Sequence, residues 1–219
     1  MKGRAIDFLK EILFPVFCIE CGAEGVRWCA SCLAKSVGEP MVFAPTVTSE
    51  LRVPSFQTVA AFFNYQEKAP IGRCIREIKY NFARDIESVL HTIISLAPLA
   101  VIPPEATIIP IPLHTRRLRE RGFNQAELVA RAVAKQYHVV VNNHSLVRSR
   151  YTSQQAKLNR ADREKNMRAA FVWNGSTTVP QSVVLVDDVY TTGATMLECA
   201  KALESAGVKE IMGLVLARG

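Results

Sequence analysis

The sequence predicts an α/β fold: a parallel sheet flanked by helices, preceded by a small N-terminal element built on four cysteines. Short apolar, β-branched runs at 183–186 and 107–113 read as strands buried on both faces, the habit of parallel sheets. Segments with helical apolar spacing alternate with them. Two C-x2-C pairs, Cys18/Cys21 and Cys29/Cys32, stand close together near the N-terminus. A chain of 219 residues holds one such domain and a modest appendage.

Hydrophobic content of 49% and charged content of 21% are those of a soluble globular chain. No apolar run is long enough to cross a bilayer, so no membrane insertion is expected. Asp7, Lys10 and Glu11 interrupt any signal-peptide core, and Ile6, Leu9, Ile12 and Leu13 recur as in an amphipathic helix. The expected location is cytoplasmic. The net charge of +7 is uneven: residues 114–168 hold 13 Lys/Arg against 4 Asp/Glu, and the remainder holds 14 against 16. One segment carries the whole excess, which suits a polyanionic partner, a pyrophosphate or a nucleic acid.

Residues 1–50 form the first unit: the short helix, the cysteines and a linker. The spacing C-x2-C-x7-C-x2-C suits a four-cysteine zinc site, each pair contributing two thiolates from a knuckle. A disulfide needs an oxidising compartment to which nothing here points, and neither pair follows a strand as a redox C-x2-C would. Cys18, Cys21, Cys29 and Cys32 are therefore read as ligands of a structural Zn2+, whose binding energy of roughly 10 kcal/mol supplies what so short a segment lacks in core. Pro40, Pro45 and Pro54 mark residues 35–55 as a linker or irregular connection.

The second unit, 56–219, opens with a strand at 58–65. Residues 70–96 read as helical, with Ile71, Ile75, Ile78, Phe82 and Ile86 as a core stripe; for Lys79 and Arg84, ligand contacts and ordinary surface charges both stay open. The strand at 107–113 runs into a basic loop, and a helix starts at Asn124 with Glu127 placed to complete a capping box. Arg116 and Arg117 suit pyrophosphate oxygens through bidentate guanidinium contacts. For His114, a ligand contact and an ordinary surface histidine both stay open. Residues 148–168 are poor in apolar positions and fit a flap or a plain solvated loop. A strand at 171–173 precedes the run 183–186, which Asp187 and Asp188 close. Thr191, Thr192, Gly193, Ala194 and Thr195 then lead into a helix marked by Met196, Leu197, Ala200 and Leu203 and capped by Gly207. Acids at the carboxyl end of a buried strand, beside a hydroxyl-rich helix start, describe a site for a sugar phosphate. A last buried strand is expected over 210–217.

That strand–Asp-Asp–Thr-Thr-Gly-Ala-Thr–helix order resembles the phosphoribosyl-pyrophosphate (PRPP) signature of type I phosphoribosyltransferases. The chain as a whole resembles the ComF, or competence protein F, family. Residues 110–114, 117–125 and 146–150, then Thr152, Gln154, Gln155, Leu158, Arg163 and Asn166, then 186–195 and 214–218 carry the likeness, and the four cysteines belong to it. The resemblance implies a phosphoribosyltransferase-like fold and handling of single-stranded DNA during natural transformation, with DNA-uptake proteins as possible company. It implies that Asp187 and Asp188 hold the ribose hydroxyls, directly or through Mg2+, and that residues 191–195 hold the 5′-phosphate. His114, Arg116, Arg117 and Lys79 then contact PRPP, with Mg2+ bridging its pyrophosphate. It turns 148–168 into a flap whose Arg148, Arg150, Gln154, Arg160 and Arg163 face pyrophosphate or nucleic acid.

Two functions follow. One is a PRPP-binding protein that also grips single-stranded DNA; the other is an active phosphoribosyltransferase with an unidentified acceptor. Thr191 stands where 6-oxopurine salvage enzymes carry a carboxylate, and a hydroxyl cannot act as that base near neutral pH, which argues against hypoxanthine or guanine. The basic segment has few rings for base stacking, Phe123, Tyr137 and Tyr151, although Phe14, Phe17 and Trp28 near the cysteines are available for stacking or for a core.

Overall fold

The structure, a computed structural model, describes residues 15–36, 40–45, 52–64, 86–97, 102–149, 170–174 and 178–219. The helix expected near residues 6–13, Phe14, Cys74, Lys79 and Arg84, and the flap residues Arg150, Gln154, Arg160 and Arg163 lie outside them. In chain order the elements are α1 (Ala30–Ser36), β1 (Met41–Phe43), β2 (Phe56–Asn64), α2 (Ile86–Leu96), β3 (Thr107–Pro110), α3 (Thr115–Arg121) and α4 (Gln125–Tyr137). They continue with β4 (Val140–Val141), β5 (Leu146–Arg148), β6 (Phe171–Trp173), β7 (Ser182–Tyr190), α5 (Ala194–Ala206) and β8 (Glu210–Arg218).

Six strands form one sheet in the order β1-β2-β8-β7-β3-β4, parallel except for β1, while β5 and β6 pair as a separate antiparallel ribbon. The period-two alternation of strand side chains feeds two cores. Val184 and Val186 join Phe62, Leu90, Ile93, Ile108, Val129 and Val133 on the face covered by α2 and α4. Val183 and Leu185 join Val59, Ile109, Met196, Leu197 and Leu203 on the face covered by α5. Both faces of β7 are thus sealed, which is why its sequence is a continuous apolar run.

Two expectations are corrected. The linker contains a strand: β1 pairs antiparallel with β2 through Met41↔Ala61, Val42↔Ala60 and Phe43↔Val59. Pro40 and Pro45 bracket it, and at a sheet edge the missing N–H of proline is tolerated. Phe43 packs edge-on against Tyr190, with ring centroids 5.2 Å apart, and lies 4.0 Å beneath the Arg218 guanidinium carbon. The second correction is that β7 does not stop at its acids. Its pairing with β8 continues through Asp187↔Val215 to Tyr190↔Arg218, whereas β3 accompanies it only as far as Pro110↔Val186.

The strand order fixes where a ligand can enter. The chain passes from β3 through α4 to β4 on one side, and from β7 through α5 to β8 on the other. Strand order therefore reverses between β3 and β7, and beyond their carboxyl ends the two connections part and leave a crevice.

Candidate functional site

The crevice is a cavity of about 360 Å³. Its mouth opens where β3 leaves β7: the Ile111 N–H still donates to the Val186 carbonyl at 2.8 Å, after which Ile111, Pro112 and Leu113 turn away as one wall. Asp187 and Asp188, the first residues past the divergence, also line the cavity, and an Asp187 carboxylate oxygen accepts the Asp188 N–H at 2.8 Å. Thr191 and Thr195 line it as well, Thr195 from the first turn of α5, where the positive end of the helix dipole lies.

Thr192, Gly193 and Ala194 shape the bend without lining the cavity. Thr192 Oγ1 accepts the Ala194 N–H at 3.4 Å, and the Gly193 carbonyl accepts from Leu197 at 2.9 Å, starting the helix. Gly193 has φ +74°, and a Cβ there would collide with the hydroxyl and ring of buried Tyr190. Only glycine meets both demands.

The expected basic loop is a helix. His114 caps α3, its Nδ1 accepting the Arg116 N–H at 3.2 Å, and it does not line the cavity. Arg116 Nε donates to Glu120 at 3.1 Å on the exposed side. Arg117 and Arg121, four residues apart, share the other face and line the cavity. Gly122, left-handed at φ +79°, ends the helix with its N–H on the Leu118 carbonyl. Asn124 then caps α4, accepting from Ala126 at 3.2 Å and donating to the Ile111 carbonyl at 3.0 Å, which ties that helix start to the β3 wall. Glu127 does not close a capping box: its carboxylate takes Arg131 at 2.6 Å and Asn143 at 3.0 Å.

Arg148, expected on the flap, reaches the cavity from β5 with its guanidinium carbon 5.3 Å from the centre of the Phe171 ring. Burial, and then the like charge of Arg117, hold its pKa below the ordinary arginine value. Cys199, wholly buried on α5, is held as a thiol by burial and then by the charge of Asp187. The cavity thus gathers three guanidinium groups and two carboxylates, with Arg148 within the field of Asp187, a set suited to an anionic ligand that also carries hydroxyls. Arg121, Asn124 and Gln125 were missed as lining residues. The four-residue spacing of Arg117 and Arg121 is the signal in the sequence, and it has meaning only when 115–121 is helical rather than a loop.

The cysteine cluster is a second site. The sulfurs of Cys18, Cys21, Cys29 and Cys32 all lie within 4.8 Å of one another. Cys29 Sγ is 3.8 Å from that of Cys18 and 3.7 Å from that of Cys21. Four sulfurs about 2.3 Å from a central tetrahedral ion would be roughly 3.8 Å apart, so the donor set fits such an ion. The Cys29 N–H reaches Cys18 Sγ at 3.4 Å, and Gly22, at φ +72°, turns the first knuckle with its N–H on the Cys18 carbonyl. The thiols are unlike: hydrogen bonding, first from the Ser31 side chain, lowers Cys29 to about 6, while Cys32, bonded to the side chains of Cys29 and Cys21, is pushed up to about 12. Four adjacent thiols cannot all ionise together without a cation between them.

A family model described as a phosphoribosyl transferase domain matches residues 122–219. Competence protein F of Haemophilus influenzae is 31% identical, with 99% of this chain and 91% of the relative aligned. Competence protein ComFC of Streptococcus pneumoniae is 34% identical over 52% of this chain and 49% of its own length. The DNA utilization protein YhgH of Escherichia coli K12 is 28% identical over 75% of this chain and 74% of its own. Among the described residues, no helix is long and apolar enough to cross a membrane.

Proposed function

Because the chain belongs to the competence protein F family and carries a phosphoribosyl transferase domain, we propose that it binds PRPP in the β3/β7 crevice and single-stranded DNA on its basic segment, acting in DNA uptake. The observation that carries this reading is the cavity at the strand-order reversal, lined by Asp187, Asp188, Thr191 and Thr195 together with Arg117, Arg121 and Arg148. The acids take the ribose hydroxyls, Thr191 and Thr195 of the bend the 5′-phosphate and the guanidinium groups the pyrophosphate. Mg2+, when bound, neutralises pyrophosphate charge while keeping several waters. Zn2+ is the ion for Cys18, Cys21, Cys29 and Cys32; four thiolates leave no open position, so its role is structural.

For DNA, the excess of cations in 114–168 supplies the electrostatic attraction, and Phe17, 50% exposed, is the ring near the cysteines available for stacking; Trp28 is 5% exposed and belongs to the core. Titration of PRPP with Mg2+ into wild type and the Asp187→Ala/Asp188→Ala double variant tests the site. Wild type should bind and the double variant should not; equal binding removes the assignment. Single-stranded DNA should bind wild type far less tightly as salt rises, and a flat salt response removes the DNA half.

One observation favours a second reading, an active phosphoribosyltransferase: the acid pair lines a cavity of about 360 Å³ rather than being packed shut. Displacement of pyrophosphate at C1 passes through an oxocarbenium-like state that needs positioning and electrostatics more than a covalent partner. Pyrophosphate release over a panel of bases and amines decides between binding and transfer.

A further inference from the structure

Gln125 opens the 13-residue helix α4, is 3% exposed, and lines the cavity. Its amide nitrogen is shut off from water and has no hydrogen-bond partner among the described residues. A buried donor without an acceptor works against folding. The helix does not need it: Asn124 already caps α4, and any good helix former suits the position after a cap. Only a three-residue turn separates it from Arg121, and it lines the same cavity as Arg117, Arg121 and Arg148.

Resting on the function proposed above, we infer that Gln125 is a ligand-contact residue whose amide nitrogen completes a diphosphate subsite with Arg117, Arg121 and Arg148. Diphosphate oxygens only accept hydrogen bonds, so they match these donors, whereas ribose hydroxyls match the acids. The positive end of the α4 dipole adds to the same preference. A neutral amide supplies a further donor where Arg117 already crowds Arg148 with like charge. The terminal torsion of glutamine is broad, so a small turn of the carboxamide brings its nitrogen to a ligand oxygen.

The test compares wild type with Gln125→Met, similar in length but without a donor, and with Gln125→Glu, similar in shape but negative. Each is titrated with PRPP, inorganic pyrophosphate and ribose 5-phosphate, all with Mg2+, and the ligand-free proteins are melted. Gln125→Met should weaken PRPP and pyrophosphate about tenfold, leave ribose 5-phosphate unchanged, and not lower the melting temperature. Gln125→Glu should lose more, because a carboxylate repels the diphosphate. A lower melting temperature for Gln125→Met with unchanged pyrophosphate binding would make the amide structural and overturn the inference. An equal loss for ribose 5-phosphate would do the same by moving the contact off the diphosphate. If wild type binds pyrophosphate but not PRPP, the proposed function fails while the subsite is still judged by the variants; binding of neither ends both.

Discussion

Arg116 and Arg117 are adjacent and chemically alike, yet α3 turns them to different surroundings. Arg116 holds Glu120 on the exposed surface, and Arg117 lines the cavity with Arg121. Exposed pairs of the first kind contribute little, whereas a charge-assisted bond to a ligand phosphate is worth enough to change affinity tenfold or more. PRPP titrations should therefore show Arg117→Ala and Arg121→Ala weakening binding at least about tenfold, and Arg116→Ala changing it less than about twofold. Gly193 gives a second expectation. Alanine there adopts a left-handed conformation costing roughly 1–2 kcal/mol and drives its Cβ into Tyr190. Thermal melts of Gly193→Ala should show a loss of about 2 kcal/mol or more, with PRPP binding falling alongside. The acids and the threonine bend were legible because strand, carboxylates and helix start are contiguous in sequence. Gln125 was not, since its distinction is a missing partner, which only the packed structure displays.

At the scale of elements, the crevice exists because two neighbours of β7 have different lengths: β8 stays paired to Tyr190 while β3 departs after Val186. The sequence placed β2, β3, β6, β7 and β8 and the helix cap at Gly207, since those depend on local apolar runs and on glycine, but not β1, β4 and β5, which are only two or three residues long. It understated β7, because acids in a strand look like its end when the partner that continues beside them lies far away in sequence. It misread α3 for a related reason: seven residues with no buried side chain carry no apolar stripe, and the cap came from His114, whose ring serves as acceptor. The short β1 matters out of proportion to its length, because Phe43 supports the Tyr190 ring over which Gly193 bends. Phe43→Ala should lower stability by about 1–2 kcal/mol and also weaken PRPP, in melts and titrations of one protein; an unchanged affinity would uncouple the edge strand from the bend.

For the whole molecule, the cysteine spacing announced the four-cysteine cluster but not its docking, which rests on contacts distant in sequence. Cys18, Trp28, Cys32 and Leu33 are buried in one cluster with Phe62, Leu90, Ile93 and Leu216, so the element is part of the main core. Chelation should then lower the melting temperature of the entire chain in a single transition; melting of the N-terminal part alone would contradict this. The sign with pH follows from proton counting. The metal-bound fold holds fewer protons than the unfolded chain, whose thiols are protonated, so stability conferred by the ion falls as pH falls. Melts across an acid series, with and without added Zn2+, would check it.

The pairing of β1 with β2 has one more consequence. A chain shortened to begin at Phe56 would bare the flank of β2 at Val59, Ala60 and Ala61, now covered by Met41, Val42 and Phe43, and turn β2, still paired with β8 on its other side, into the sheet's edge. Such a border recruits other chains. Light scattering should find the truncated protein as growing particles rather than as a smaller monodisperse enzyme-like body.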